Sequence, residues 1–354
     1  MRGRQGHFRY QAHAKQGTMK AFILERYGDA SGTRLAEVRD PPAPGPHEVQ
    51  VRTVAAGLNP VDYKIREGKL RMVMPLKLPA ILGSEVAGVV TATGRGATRF
   101  QVGDHIYARV AKDGGGGLAE YINLPNDIGA HAPNAVDMET AAAVPLAGLT
   151  ALQALRDVLK VGPGQRVLIS AGAGGVGTFA IQIAKWLGAH VTTTASPRGE
   201  ALVRALGADT VIDYTRARIA DQPRDFDAGF DLMGGETLRE MFRVVRPGGT
   251  VVTISDVPEP QTALQDLKRG YGLAALFWIA SFKVRQEARR AGVHYRFMFM
   301  RPDAPGLALL AQLIDEGKLK VVMDRVCQFA EVADAMAYLE SGRAKGKVVV
   351  RIAD

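Results

Sequence analysis

The chain of 354 residues is 47% hydrophobic and 23% charged, the balance of a globular protein long enough for two cores. Its net charge of +9 is partly local: Arg2, Arg4, Arg9 and Lys15 give the first 18 residues +4 with no acid, leaving +5 for the other 336, a mild excess that asks for no nucleic-acid partner. A single cysteine, Cys327, excludes an internal disulfide and suits a reducing, cytoplasmic compartment, and the longest apolar stretch, 273–280, is too short to span a bilayer.

Residues 1–18 are expected to form a flexible basic tail. They lack the serine-rich character and apolar face of a targeting segment and the apolar run of a secretory signal, so an extension ahead of a start at Met19 is the simpler reading. From Met19 to about Ala143 the spacing predicts short strands, at 19–24, 49–54, 86–91 and 105–110. Between them lie turn clusters such as Pro41-Pro42-Ala43-Pro44-Gly45-Pro46 and Gly114-Gly115-Gly116-Gly117. This half reads as a compact, mostly β domain.

After Pro145 the texture changes. Strand patterns at 166–170, 190–195, 210–214, 229–233 and 250–255 alternate with helical patterns at 175–187, 198–206 and 236–245, and a sixth strand is expected at 294–300. Such alternation predicts a parallel sheet with crossover helices. The apolar segment 273–280, followed by Lys283, Arg285, Arg289 and Arg290, admits three readings: a packing helix or dimer contact, a lid over a hydrophobic substrate, or a shallow membrane contact. Packing or a lid is favoured over the membrane. Helices at 307–316 and 332–340 and a strand at 347–352 close the chain.

The strongest signal is Val167-Leu168-Ile169-Ser170-Ala171-Gly172-Ala173-Gly174-Gly175-Val176-Gly177, an apolar strand running through Gly-x-Gly-x-x-Gly into a helix. Gly172 permits the tight turn and Gly174 lets backbone approach a diphosphate. Gly177 lets the helix pack on the strand, and the N–H groups around Gly175 and Val176 bind the anion. An NAD site usually places an acid about 20 residues further on. Here Thr194, Ala195 and Ser196 stand in its place, with Arg198 following. A hydroxyl and a guanidinium suit the 2′-phosphate that a carboxylate would repel, so NADPH is the expected cofactor. Arg198 could instead be a solvated first-turn residue, or pair with Glu200.

Further marks stand in order along the chain: Gly57-Leu58-Asn59-Pro60-Val61-Asp62, Gly83-Ser84-Glu85-Val86-Ala87-Gly88, Val102-Gly103-Asp104, Gly117-Leu118-Ala119-Glu120-Tyr121, Pro145-Leu146-Ala147-Gly148-Leu149-Thr150-Ala151 and Gly346-Lys347-Val348-Val349-Val350. Together with the glycine turn they resemble the medium-chain dehydrogenase/reductase superfamily, in its zinc-free quinone oxidoreductase branch, which includes zeta-crystallin-like proteins and enone reductases. The resemblance covers residues 19–354. It implies an α/β protein: a mostly-β GroES-like catalytic domain from 19–144 and 305–354, and a doubly wound, parallel-sheet Rossmann domain from 145–304. Zinc-dependent relatives place Cys and His ligands where this chain has Asn59 and Ser84, and no cysteine lies near Thr150, so no metal site is expected.

The resemblance also implies roles, each with a plainer competitor. Asn59 would lie near the nicotinamide ribose, or cap a helix begun by Pro60; the two roles are compatible. Lys64 would hydrogen-bond the substrate carbonyl and stabilise an enolate, or be a solvated lysine. Tyr63 is a second proton-donor candidate. Thr150 is expected to start a helix near the nicotinamide, Tyr214 to flank the adenosine phosphate, and Gly234 and Gly235 to let backbone approach the cofactor. Lys347 is expected to contact the cofactor, with Arg343 and Lys345 beside it. The implied activity is hydride transfer from NADPH to a small hydrophobic electrophile, a quinone or an α,β-unsaturated carbonyl, by a homodimer. The alternatives are a non-catalytic NADPH-binding scaffold or RNA-binding crystallin-like protein, and an enoyl-thioester reductase.

Overall fold

The computed structural model describes residues 17–110 and 116–353. The basic residues of the expected tail, and Gly114 and Gly115 of the glycine cluster, lie outside the described residues. In chain order the first part holds β1 (Thr18–Leu24), β2 (Thr33–Arg39), β3 (Glu48–Leu58), α1 (Pro60–Arg66), β4 (Ala80–Ile81), β5 (Glu85–Thr93), β6 (His105–Arg109), β7 (Tyr121–Pro125), β8 (Gly129–His131) and α2 (Met138–Ala142). The middle holds α3 (Pro145–Leu152), β9 (Arg166–Ile169), α4 (Gly175–Trp186), β10 (His190–Ala195), α5 (Pro197–Ala205), β11 (Thr210–Asp213), β12 (Phe226–Asp231), α6 (Gly235–Val244) and β13 (Val245–Thr253). Next come α7 (Gly270–Ala280), α8 (Phe282–Arg290), β14 (His294–Phe297), α9 (Ala304–Asp315), β15 (Met323–Gln328), α10 (Val332–Glu340) and β16 (Lys347–Arg351).

Strands β9 to β14 form one six-stranded parallel sheet in the order β11-β10-β9-β12-β13-β14. The order grows outward from β9 on one side and from β12 on the other. Ligands bind such sheets at the carboxyl ends of the two strands where the order reverses. The glycine turn leaves β9 at that place. A second sheet of seven strands runs β15-β16-β3-β5-β6-β8, with β7 also on β3, and β2-β1-β4 form a third. Strand β16 pairs antiparallel with β3, matching Val348 to Leu58, so the end of the chain returns to the N-terminal sheet.

Hydrophobic burial follows the two large sheets. One cluster contains Val167, Ile169, Phe179, Ile181 and Phe230 around the parallel sheet and extends through Leu149 and Leu152 of α3 to Leu307 and Leu310 of α9. A second fills the antiparallel sheet with Val49, Val51, Leu58, Val86, Ile106, Ile122 and Val348, and a third, with Leu168, Ile212, Phe226 and Leu238, also packs on the parallel sheet. The segment 273–280 is helical, as α7, but buries only Ala274 and Phe277 fully. Tyr271, Leu276, Trp278 and Ile279 are exposed, as is Phe282 of α8. No helix among the described residues is long and apolar enough to cross a membrane.

Candidate active site

The glycine turn has the geometry its sequence requires. A Cβ on Gly177 would lie 2.3 Å from the Ala171 carbonyl oxygen and 2.7 Å from Gly172 Cα, so α4 and β9 approach more closely than any side chain allows. On Gly172 it would meet the Thr193 hydroxyl at 2.2 Å. Gly174 differs: its only near neighbour is Ala171 O at 3.3 Å, so that side of the turn is open. The turn is braced by Ala171 N donating to Thr194 Oγ1 (2.8 Å) and Gly172 N to Thr194 O (3.0 Å). Gly174 caps α4 with no side-chain acceptor. The N–H groups of Gly175, Val176 and Gly177 precede the helix ladder, which begins with Thr178 N to Gly174 O (3.0 Å). They form a cradle at the positive end of a twelve-residue helix, open on the Gly174 side and bordered at Gly175 by Gly346 O and the Lys347 stem.

The next turn supplies the discriminating groups. Ser196 caps α5 by backbone, its hydroxyl making no capping bond, and Pro197 holds the first helical position. Arg198 is exposed. Glu200 pairs with Arg204 (2.8 Å) and not with Arg198, which has no ion pair among the described residues. From the other half of the fold, Lys345 Nζ donates to the Arg198 carbonyl (2.8 Å) and Gly346 N donates to Ala173 O (3.0 Å), with Gly346 bridged to Gly174. Tyr214, just beyond β11, is 62% exposed and free to stack. Gly234 has a local reason to be glycine. Its φ is +73°, and a Cβ there would lie 2.1 Å from the Ser255 carbonyl. Its N–H donates to Asp231 (2.8 Å), whose buried carboxylate also takes Thr253 Oγ1 (2.6 Å); burial pushes that carboxyl above its ordinary range. Gly235 follows at φ +56°.

Across the seam lies a buried polar cluster. Lys347 Nζ donates to Asn59 Oδ1 (2.5 Å), Glu85 Oε1 (2.7 Å) and Leu58 O (3.2 Å). Asn59 Nδ2 donates to Glu85 Oε1 (2.6 Å), and Leu146 N donates to Glu85 Oε2 (2.6 Å). The expectation for Lys347 changes: its stem lies on Gly175, but its ammonium points away from the phosphate cradle and is fully engaged in the other domain. Asn59 takes the N-cap position of α1 and donates its backbone N–H to Asp62 Oδ2 (2.8 Å), while its side-chain amide engages Lys347 and Glu85. Thr150 does not start a helix. That helix, α3, starts at Pro145, which suits a first position, and the Thr150 hydroxyl donates back to Leu146 O (2.7 Å).

Helix α1 is fixed at both ends. Asp62 accepts from Ser84 Oγ (2.5 Å), and Arg66, 4% exposed, pairs with Glu340 of α10 (2.6 Å). Burial raises the Asp62 carboxyl to about 6, against the bonds from Ser84 and Asn59. Between them, Tyr63 and Lys64 are both partly buried. Burial first, then Lys69, holds the Lys64 ammonium below the usual lysine range, and no hydrogen bond or ion pair engages it among the described residues. Burial raises Tyr63, helped by Glu67 and Glu340. Among the described residues no group of three or more His, Cys, Asp or Glu is arranged to hold a metal. Glu85 has no role assigned from sequence, although it sits inside the quoted Gly83-Ser84-Glu85; an acid heading an otherwise apolar strand was the available signal.

Comparison with known proteins bears on this arrangement. A family model described as a zinc-binding dehydrogenase matches residues 206–350, and one described as an alcohol dehydrogenase GroES-like domain matches residues 45–134. The chain is 34% identical over 361 residues to the mitochondrial NAD(P)H oxidoreductase RTN4IP1 of Danio rerio, covering 96% of this chain and 92% of that one. It is 33% identical over 342 residues to a chloroplastic NADPH-dependent alkenal/one oxidoreductase of Arabidopsis thaliana, covering 94% and 79%. Among solved structures, a quinone oxidoreductase from Coxiella burnetii matches with a TM-score of 0.82 at 29% identity, over 95% of this chain and 100% of that one. The chain belongs to the medium-chain dehydrogenase/reductase superfamily, in its quinone oxidoreductase branch.

Proposed function

We propose that this chain is an NADPH-dependent, zinc-independent oxidoreductase that delivers hydride to a quinone or an α,β-unsaturated carbonyl. One observation carries the reading: the helix N–H groups of Gly175–Gly177 stand beside a strand end, Thr194-Ala195-Ser196, that holds no acid, where the Ser196 hydroxyl makes no capping bond and Arg198 no ion pair among the described residues. That set of donors fits a dinucleotide diphosphate with an additional phosphate on its ribose. The names of the relatives support both halves, since they include an NADPH-dependent alkenal/one oxidoreductase and a quinone oxidoreductase.

When bound, the nicotinamide supplies the hydride. The chain binds, orients and excludes water. Gly174 and the N–H groups after it hold the diphosphate, Ser196 and Arg198 the 2′-phosphate, and Tyr214 covers the adenosine side. Gly234 keeps backbone close at the switch point. Lys64 donates to the acceptor carbonyl and stabilises the negative charge that develops there, and Tyr63 is the alternative donor. Thr150 has spent its proton on Leu146, so it offers only oxygen lone pairs to the nicotinamide side. Asn59 and Ser84 are engaged by Lys347, Glu85 and Asp62, and a divalent cation placed there would face the Lys347 ammonium. A homodimer, supported by the exposed apolar side of α7, and a cytoplasmic location also belong to the proposal; light scattering and cell fractionation test them.

The decisive test is NADPH oxidation by the purified chain with 1,4-benzoquinone, an alkenal and an enoyl thioester as acceptors. Turnover with either of the first two is expected. Turnover confined to the thioester, or tight NADPH binding without turnover, would contradict the proposal.

A further inference from the structure

The proposed hydride site is assembled from segments far apart in sequence, and one carboxylate touches three of them. Glu85 is fully buried. It accepts at Oε1 from Lys347 Nζ (2.7 Å) and Asn59 Nδ2 (2.6 Å), and at Oε2 from Leu146 N (2.6 Å). Asn59 heads α1, which carries Tyr63 and Lys64. Leu146 is the second residue of α3, one turn ahead of Thr150. Lys347 opens β16 directly after Gly346, which is bridged to Gly174 of the diphosphate turn. Space for the carboxylate is built in: a Cβ on Gly57 would lie 2.2 Å from Glu85 Oε1 and 2.7 Å from Ala142 O.

A bare stability role is a poor explanation of this cluster. Burying an ion pair costs desolvation that the pairing roughly offsets, and apolar groups of similar volume often serve stability as well or better. What the pair supplies is fixed geometry. Each acceptor position is taken by a donor from a different segment, so moving any one segment breaks a charge-assisted bond.

We infer that Glu85 is a positioning residue for hydride transfer: with Lys347 and Asn59 it holds the substrate-side helix α1, the nicotinamide-side helix α3 and the diphosphate turn in one register. The inference rests on the NADPH site proposed above. Hydride transfer depends steeply on placement, and a misplacement of about 1 Å can cost roughly a hundredfold in rate. Loosening the tie therefore slows the chemical step while leaving the cradle able to bind.

The test uses the full chain as the double variant E85Q/K347M, which removes both charges together and so avoids a lone buried ion, and as the single variant E85D, which keeps the charge but shortens its reach. Each is compared with wild type by NADPH titration, thermal melting and single-turnover reduction with NADPH or NADPH deuterated at the transferred position. The NADPH dissociation constant is expected to stay within about threefold while hydride transfer slows by about tenfold or more with an enlarged isotope effect. At least one of the two variants is expected to melt near wild type. A folded variant with wild-type transfer rate and isotope effect would overturn the inference, as would a loss found wholly in NADPH affinity or slowing that merely follows lost folded protein. Absence of NADPH binding by wild type would overturn the parent proposal as well, and it shows in the wild-type titration alone.

Discussion

Replacing Gly177 by alanine should cost the chain most of its grip on NADPH and little of its fold. The added Cβ would lie 2.3 Å from Ala171 O and 2.7 Å from Gly172 Cα, where ordinary contact begins at 3.4 Å. Both obstacles are backbone of the turn, so no side chain can swing aside. Gly172 is itself backed against Thr193, whose hydroxyl would lie 2.2 Å from a Cβ there. The start of α4 must therefore retreat by about 1 Å, and the N–H groups of Gly175–Gly177 retreat with it. A hydrogen bond to a charged acceptor contributes ~1.5–3 kcal/mol, so misplacing one or two should weaken binding by ~2–3 kcal/mol, a rise of about 30- to 150-fold in Kd. Fluorescence titration with NADPH measures this, and circular dichroism melting in parallel confirms that the variant is folded. A folded Gly177→Ala chain that binds NADPH like wild type would refute the idea that α4 holds the diphosphate.

Three further perturbations probe separate parts of the account. Arg198→Glu removes a guanidinium and adds a carboxylate where the 2′-phosphate is placed, so the ratio of kcat/KM for NADPH over NADH should fall by about a hundredfold or more; an unchanged ratio would discredit that assignment. Lys64→Met keeps length and loses the donor, and kcat should drop by roughly 10- to 100-fold with NADPH affinity unaltered, as steady-state kinetics and titration together can read. Asp62 titrates at about 6 in the folded chain, raised by burial above its ordinary 3.8. Its contribution to stability is therefore full below about pH 4 and lost as pH rises through 6. The raise is about two pH units at ~1.4 kcal/mol each, so Asp62→Asn should gain up to ~3 kcal/mol relative to wild type between pH 4 and pH 7. Urea unfolding of both chains at the two pH values checks this, and a difference that does not change with pH would contradict it.

Much of the parallel-sheet half is legible in the sequence because apolar strands and glycine turns alternate there with a clear period. β10 occupies the residues its spacing predicts, and β9, α4 and α5 differ by a residue or so at their ends. The antiparallel half is less legible. Strand β15 lies at a sheet edge with a half-exposed, polar sequence, and β8 is only three residues long, so neither periodicity nor composition marks them. The start of α3 is set by Pro145, whereas the threonine five residues on bonds its own helix. The diphosphate cradle is local in sequence and could be read there. The cluster of Asn59, Glu85 and Lys347 could not, because its members are separated by 26 and 262 residues and meet only once β16 returns to β3. For the same reason the direction of the Lys347 ammonium is a property of the fold and not of the Gly346-Lys347 pair.

The central claim is that this cradle and its acid-free neighbour select a phosphorylated dinucleotide. Parallel titrations of the purified wild-type chain with NADPH and NADH test it most directly. Saturable binding of both, with NADPH preferred by about tenfold or more, is the predicted result. No saturable binding, or a preference for NADH, would contradict it.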